Sequence, residues 1–236
     1  TPAWRATEAA ATGVPTVVDD GVVVPTADGL VALDAHDGSR RWRADVDATM
    51  PAVAEGTVVA GGEETVALDA ATGDREWSVS DGAEFHPVVA GETVYLGTYS
   101  RLVGVALDDG QERWAVDRGG GRTFSAPVVA PETVYTVERP GEAPDATFAL
   151  DRVDGGKPEP RWCSYVGEGS VTAATGDHAF ALQSGFGGPR VVAFTERFGE
   201  AAWGYAAADR PVPPAILDGG IVSVTDRGTV AAVGGV

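Results

Sequence analysis

The sequence predicts an all-β chain: a six-bladed β-propeller with four antiparallel strands per blade, closed by the N-terminal strand joining the C-terminal blade. Three observations predict it. The six Trp residues fall at 4, 42, 77, 114, 162 and 203, at spacings of 38, 35, 37, 48 and 41. Each interval repeats one order of short apolar runs and turns. The chain also carries 32 Gly and 15 Pro in 236 residues, with no helical period in its apolar residues.

Each unit opens on an apolar run beside Pro: Val14-Pro15-Thr16-Val17-Val18, Met50-Pro51-Ala52-Val53, His86-Pro87-Val88-Val89 and Ala126-Pro127-Val128-Val129. A turn follows at Asp20-Gly21, Glu55-Gly56, Gly91-Glu92 and Pro131-Glu132. The second strand is β-branched: Val22-Val23-Val24, Thr57-Val58-Val59, Thr93-Val94-Tyr95 and Thr133-Val134-Tyr135. The third ends in Ala-Leu-Asp at 32–34, 67–69, 106–108 and 149–151. A Gly turn then leads to a short strand carrying Trp. Four short strands per ~35–45 residues is the unit of a propeller blade, which needs neighbours to bury its faces.

One domain over 1–236 follows, with blades at about 13–43, 49–78, 85–115, 125–163, 171–204 and 212–236. The last unit lacks a Trp strand, and residues 1–10 hold an orphan one. Joined head to tail, the two ends make a further unit of 37 residues. Closure would remove exposed sheet edges. A five-bladed ring with a spare strand, or a piece of a larger ring, are the rival architectures.

Charge sets the partner class. Seventeen Lys+Arg face 35 Asp+Glu, for a formal net charge of -18. That argues against nucleic acid, and no apolar run reaches the ~20 residues of a membrane helix. Lys157 is the one Lys beside 16 Arg, and the chain has no Asn. With 44% apolar residues the chain can still build a core. Surface carboxylates at this density suit molar salt, where the Debye length is about 3 Å and like charges no longer repel at range. A halophilic source is the expectation; an ordinary acidic secreted protein is the alternative.

The segment Ala67-Leu68-Asp69-Ala70-Ala71-Thr72-Gly73-Asp74-Arg75-Glu76-Trp77 resembles the tryptophan-docking motif A-x-D-x-x-T-G-x-x-x-W of the pyrroloquinoline-quinone (PQQ) propellers, here of a halophilic archaeal type. Ala32 to Trp42 matches with Asp37 in the Thr place. Ala193 to Trp203 keeps Ala, Gly199 and Trp, with Thr195 for Asp. Ala106 to Trp114 reads two residues short, and Ala149 to Trp162 three residues long. The resemblance implies that Trp4, Trp42, Trp77, Trp114, Trp162 and Trp203 are structural, each packing against the Ala and the Gly peptide of the neighbouring blade. The family holds PQQ-dependent alcohol dehydrogenases and cofactor-free relatives such as a bacterial outer-membrane assembly lipoprotein. The motif does not separate them.

Cofactor chemistry is not supported by the residues. The resemblance implies adjacent cysteines under the quinone and Glu, Asn and Asp around calcium. Here Cys163 stands alone and Asn is absent, so no cofactor is expected and PQQ with calcium is disfavoured. No catalytic, cofactor or metal residue is assigned. His36 and His178 fall in surface turns. His86, with Met50 and Phe85, is a candidate for the mouth of the central channel. Cys163, next to Trp162, reads as a small buried residue. Neither a nucleophile elbow nor a phosphate loop is present; accidental carboxylate pairs stay open as a hydrolase.

The strand order places the turns after the second and fourth strands on one end of the sheets, and these are the long ones: 115–126, 139–146, 163–171, 184–190 and 204–212. Loops on a rigid scaffold are where binding concentrates. With 97–101 they hold six Arg and five acids, a sector of +1 on a chain of -18. The candidate interaction face is Arg101, Arg118, Arg122, Phe124, Arg139, Tyr165, Phe186, Arg190, Tyr205 and Arg210, for a protein partner. The leading reading is a non-catalytic, protein-binding scaffold at the cell surface or in an extracellular complex, in a mature form lacking its signal segment. The family leaning adds a lipid anchor on the precursor. A dehydrogenase, degenerate or true, and a structural subunit of a larger assembly are the alternatives.

Overall fold

The computed structural model describes residues 4–6, 10–46, 50–83, 85–117, 122–140, 145–152, 156–165, 168–184, 188–217 and 220–234. These residues form strands and turns and contain no helix. The chain divides into two compact units, Thr1–Ala115 and Val116–Val236.

The first unit holds three antiparallel sheets, each in simple sequence order. They are β1 (Thr16–Val18), β2 (Gly21–Thr26), β3 (Gly29–Asp34), β4 (Arg40–Ala44); β5 (Ala52–Ala54), β6 (Thr57–Gly61), β7 (Thr65–Asp69), β8 (Arg75–Val79); and β9 (Val88–Ala90), β10 (Thr93–Gly97), β11 (Arg101–Ala106), β12 (Glu112–Asp117). Middle strands such as β7 and β10 are covered on both faces, so they read as unbroken apolar runs. Outer strands such as β4 alternate, because one face meets water. Val23, Leu30, Val58 and Leu68 pack between the first two sheets, and Val59, Val94, Leu96 and Val103 between the next two.

The second unit holds β13 (Arg122–Phe124), β14 (Val128–Val129), β15 (Thr133–Pro140), β16 (Ala146–Asp151), β17 (Glu159–Tyr165); β18 (Glu168–Ala174), β19 (His178–Ser184), β20 (Arg190–Thr195), β21 (Ala201–Ala206); and β22 (Pro211–Leu217), β23 (Gly220–Thr225), β24 (Val230–Gly234). Six sheets therefore stand where six blades were expected. Tyr135, Val137, Ala181, Val192 and Phe194 fill one inter-sheet layer, and Phe180, Val191 and Ile221 the next. Among the described residues the sixth sheet has three strands, and residues 4–6, expected in its fourth, carry no strand.

The Trp residues show why the repeat is spelled as it is. Trp42 lies opposite Ala32 in its own sheet, Trp77 opposite Ala67, Trp162 opposite Ala149 and Trp203 opposite Ala193. The motif Ala thus belongs to the same sheet as its Trp, not to the neighbouring one as the resemblance implied. A small residue there leaves room for the indole. The Gly does come from the next sheet. A Cβ on Gly73 would lie 2.7 Å from Trp42, and one on Gly110 2.7 Å from Trp77. Gly199 stands in the same relation to Trp162, and Gly38 to Trp4. In each case the indole Nε1–H donates to the carbonyl three residues before that Gly: Ala35, Ala70, Leu107 and Glu196, at 2.7–2.8 Å. Trp4 therefore occupies on the first sheet the place that Trp42 occupies on the second.

The same geometry corrects the third motif. Gly110 matches Gly73, since both have positive φ and both donate to the carbonyl four residues back. The motif then begins at Gly104, not Ala106, and is not shortened. Gly104 takes the Ala place, where an added Cβ would sit 2.2 Å from Trp114.

Four of the outer pairings also slip by one residue directly after the motif Ala. The extra residue is the one before Trp: Arg41, Glu76, Arg161 or Ala202. A bulge re-aims its side chain. Arg41 reaches Asp20 and Asp34, holding both carboxyls below the usual carboxylate range. Glu76 accepts from the Thr57 hydroxyl, and Arg161 pairs with Asp151 and Glu196. Cys163 is exposed, against expectation, because it follows Trp162 on the alternating outer strand β17 and so faces the other way.

Candidate functional site

In the second unit, the starts of β18 and β22 and the ends of β15, β19 and β23 enclose a cleft of about 620 Å³. These strand ends carry the β15–β16, β19–β20 and β23–β24 turns. Arg139, Asp145, Arg210 and Asp226 supply charge to it. Ser170, Thr172, Gln183 and Ser184 supply neutral polar groups, and Leu182, Pro211, Val212 and Pro213 an apolar wall.

Two irregular inner strands build it. In β18 the register slips between Val171 and Ala173, leaving Thr172 as the extra residue. In β22 it slips between Val212 and Ala215, at Pro213-Pro214. The inner strands β1, β5 and β9 of the first unit pair without a slip. Proline explains β22, since it cannot donate to the ladder and settles at bulges and edges. The β18 bulge leaves Thr172 lining the cleft, with its Oγ1 buried and without a hydrogen-bond partner. Gln183, only 8% exposed, lines the same cleft from β19, opposite Gly169.

The Arg residues differ in what holds them. Arg139 lies 3.6 Å from the Asp145 carboxylate and donates to the Gly169 carbonyl at 3.4 Å. That bond caps part of the open edge of β18. Arg210 is exposed and has no carboxylate within ion-pair distance among the described residues; its own carbonyl accepts from the Asp226 amide. Arg190, exposed at the start of β20, is the register partner of Gln183 and is likewise unpaired among the described residues.

The structure brings Arg139 and Arg210 together in the cleft, with Arg190 next to its Gln183 wall. Tyr165, 76% exposed, pairs with Ala146 beside Asp145 at the same strand ends. Tyr205 is half-buried on β21. Phe124 is not offered to a partner: it is 2% exposed in β13, which pairs with an extension of β15. The stretch 115–126, expected as one long loop, thus contributes strand at both ends. Arg118, Phe186 and the side chain of Arg122 lie outside the described residues. In the first unit Arg101 is held between Asp81 at 2.9 Å and Glu112 at 2.7 Å. Met50 is exposed, Phe85 and His86 are half-buried, and burial lowers the His86 pKa.

Thr172, Gln183, Asp226 and the Pro211–Pro213 wall were missed from sequence. Pro211-Val212-Pro213-Pro214 was legible as an interrupted strand; the Thr172 bulge had no signal. Cys163 is exposed, and no three His, Cys, Asp or Glu gather among the described residues.

A family model described as the outer membrane protein assembly factor BamB matches residues 1–205. The chain belongs to the BamB family. The match spans the first five sheets, including every docking contact named above. No curated protein matches the sequence. BamB from Moraxella catarrhalis shares the fold at a TM-score of 0.75 and 20% identity, over 98% of this chain and 77% of that one. The computationally designed Ika8 protein follows it at 0.78 and 14%, over 98% and 73%. The quinohemoprotein alcohol dehydrogenase ADHIIG from Pseudomonas putida HK5 does so at 0.65 and 16%, over 89% of this chain but 44% of its own. At these identities the likeness is one of fold. Membership of the BamB family agrees with a protein-partner role, and no helix of the described residues is long and apolar enough to cross a membrane.

Proposed function

We propose that the chain is a non-catalytic scaffold that holds a protein partner at the strand ends around the Arg139–Arg210 cleft. The observation that carries this reading is the pair Arg190 and Arg210 at the cleft, with no carboxylate in ion-pair distance among the described residues, on a chain where acids outnumber cations 35 to 17. Both guanidinium groups are exposed and so stay open to a partner's carboxylate. Arg and exposed aromatics such as Tyr165 are also enriched at interfaces. The family supports an assembly role by its name. No cofactor enters the proposal.

The setting we propose is the cell surface or an extracellular complex of a halophile, with a lipid anchor on the precursor. The net charge of -18 and the single Lys support the salt adaptation. Photo-crosslinkers at Tyr165 and Arg190 test the scaffold, with a control at Glu132 in the turn before β15. Capture from the two cleft-side positions and not from Glu132 is the expected result. Equal capture at all three sites refutes the assignment of the face.

A further inference from the structure

We infer that the cleft takes an extended, acidic segment of a partner protein, with Arg190 and Arg210 meeting its side-chain carboxylates. The inference rests on the scaffold reading and specifies its chemistry. Three independent features converge. The first is charge. The described Arg residues at 41, 43, 75, 101, 113, 139, 161 and 227 all lie within ion-pair distance of a carboxylate of this chain. Arg190 and Arg210 have none among the described residues; exposed Arg5 and Arg197 have none either, Arg197 lying over the Phe198 ring, but Arg190 and Arg210 are the two that stand at the cleft end of the second unit. Guanidinium–carboxylate hydrogen bonds are charge-assisted and can be bidentate, so an incoming carboxylate is the matched ligand.

The second feature is the orphaned hydroxyl. A buried polar atom without a partner is costly, and native proteins satisfy nearly all of them. Thr172 Oγ1 is such an atom, and it lines the cleft because a bulge set it there. A peptide carbonyl or amide would complete it, and Gln183 in the same cleft offers both a donor and an acceptor. The third is shape. The wall of Leu182, Pro211, Val212 and Pro213 is apolar and stiff. Proline also withholds backbone donors from that strand, so a ligand there is read by side chains and not added as a sheet strand. An extended segment presents alternate residues to opposite sides. Acidic residues on one side and apolar ones on the other match the two walls.

Anisotropy of a labelled peptide alternating Glu with Val and Leu tests the inference on the full chain. Its Glu-to-Gln analogue is the reference, both in molar salt and at the lowest salt at which circular dichroism shows the chain still folded. The acidic peptide should bind roughly tenfold or more tightly than the analogue at the lower salt, and the gap should narrow but persist in molar salt, where contacts of about 3 Å are still felt. Arg190→Gln/Arg210→Gln should erase the gap without moving the thermal midpoint, since both side chains are exposed. Thr172→Val should weaken both peptides alike. Equal binding of the two peptides, no binding of either, or an unchanged gap in the double variant overturns the inference. Crosslinking at Tyr165 that survives any of these outcomes keeps the scaffold reading, so the two fail separately.

Discussion

Substituting Gly73 by Ala puts the docking geometry to a quantitative test. Gly73 has a φ of +76°, where an L side chain is strained, and its added Cβ would stand 2.7 Å from Cδ2 of Trp42. Two costs follow. The left-handed conformation costs about 1–2 kcal/mol for a residue with a Cβ. Displacing a buried indole in a filled layer costs a further ~1–3 kcal/mol, the usual range for overpacking. Gly56 separates the two. Its φ is +79°, yet a Cβ there meets nothing within 4 Å. Gly56→Ala should therefore show the conformational cost alone, and Gly73→Ala should lose about 1–3 kcal/mol more. At roughly 2–4 °C per kcal/mol for a domain of this size, the midpoints should differ by about 2–12 °C. Thermal and denaturant unfolding followed by indole fluorescence would read it. Equal losses in the two variants would refute the claim that Gly73 is glycine because Trp42 lies against it.

The remaining expectations use the same contacts. Trp77→Phe keeps most of the ring but strips the hydrogen bond from the Leu107 carbonyl, and should cost about 1–3 kcal/mol in chemical denaturation. Trp4→Phe breaks the matching bond to Ala35 where it is exposed, and should cost clearly less. His86, whose pKa burial lowers from 6.5, prefers to stay neutral in the fold. Its contribution is whole above pH 6.5 and is lost as pH falls below that value toward the folded pKa. His86→Gln should therefore flatten the fall in thermal midpoint between about pH 7 and pH 5. Dilution from molar to low salt should lower the midpoint as the acidic surface loses its screening; a midpoint indifferent to salt would count against the halophilic setting.

The architecture was legible because its determinants are local and repeat. A Gly after a tight turn, a Trp four residues later and a β-branched run before them each act within about a dozen residues, so the sequence carries them openly. Where the reading went wrong, two spellings competed for one geometry. Ala106-Leu107-Asp108 looks like Ala67-Leu68-Asp69, but Gly110 fixes the turn, and counting back from it puts Gly104 against Trp114. Anchoring on Gly and Trp, whose contacts are set by φ and ring size, would have found this; anchoring on Ala-Leu-Asp could not.

The cleft was only half legible for a different reason. Arg139, Arg190 and Arg210 stood out by charge, which is a property of residues. Thr172 did not, because its place depends on a register slip of β18 against β19 that no residue type around it spells. Phe124 failed in the opposite sense: its sequence context reads as loop, but β15 extends to Pro140 and supplies a ladder for it. Both cases point to the same physical asymmetry. The docking contacts are duplicated from sheet to sheet, so each is supported by its siblings' spelling. The cleft arises where β18 and β22 depart from the straight pairing of β1, β5 and β9, and a departure has no sibling to be read from. A binding site on a repeat scaffold is therefore best sought where inner-strand register breaks, and Thr172 with Pro213 marks that place here.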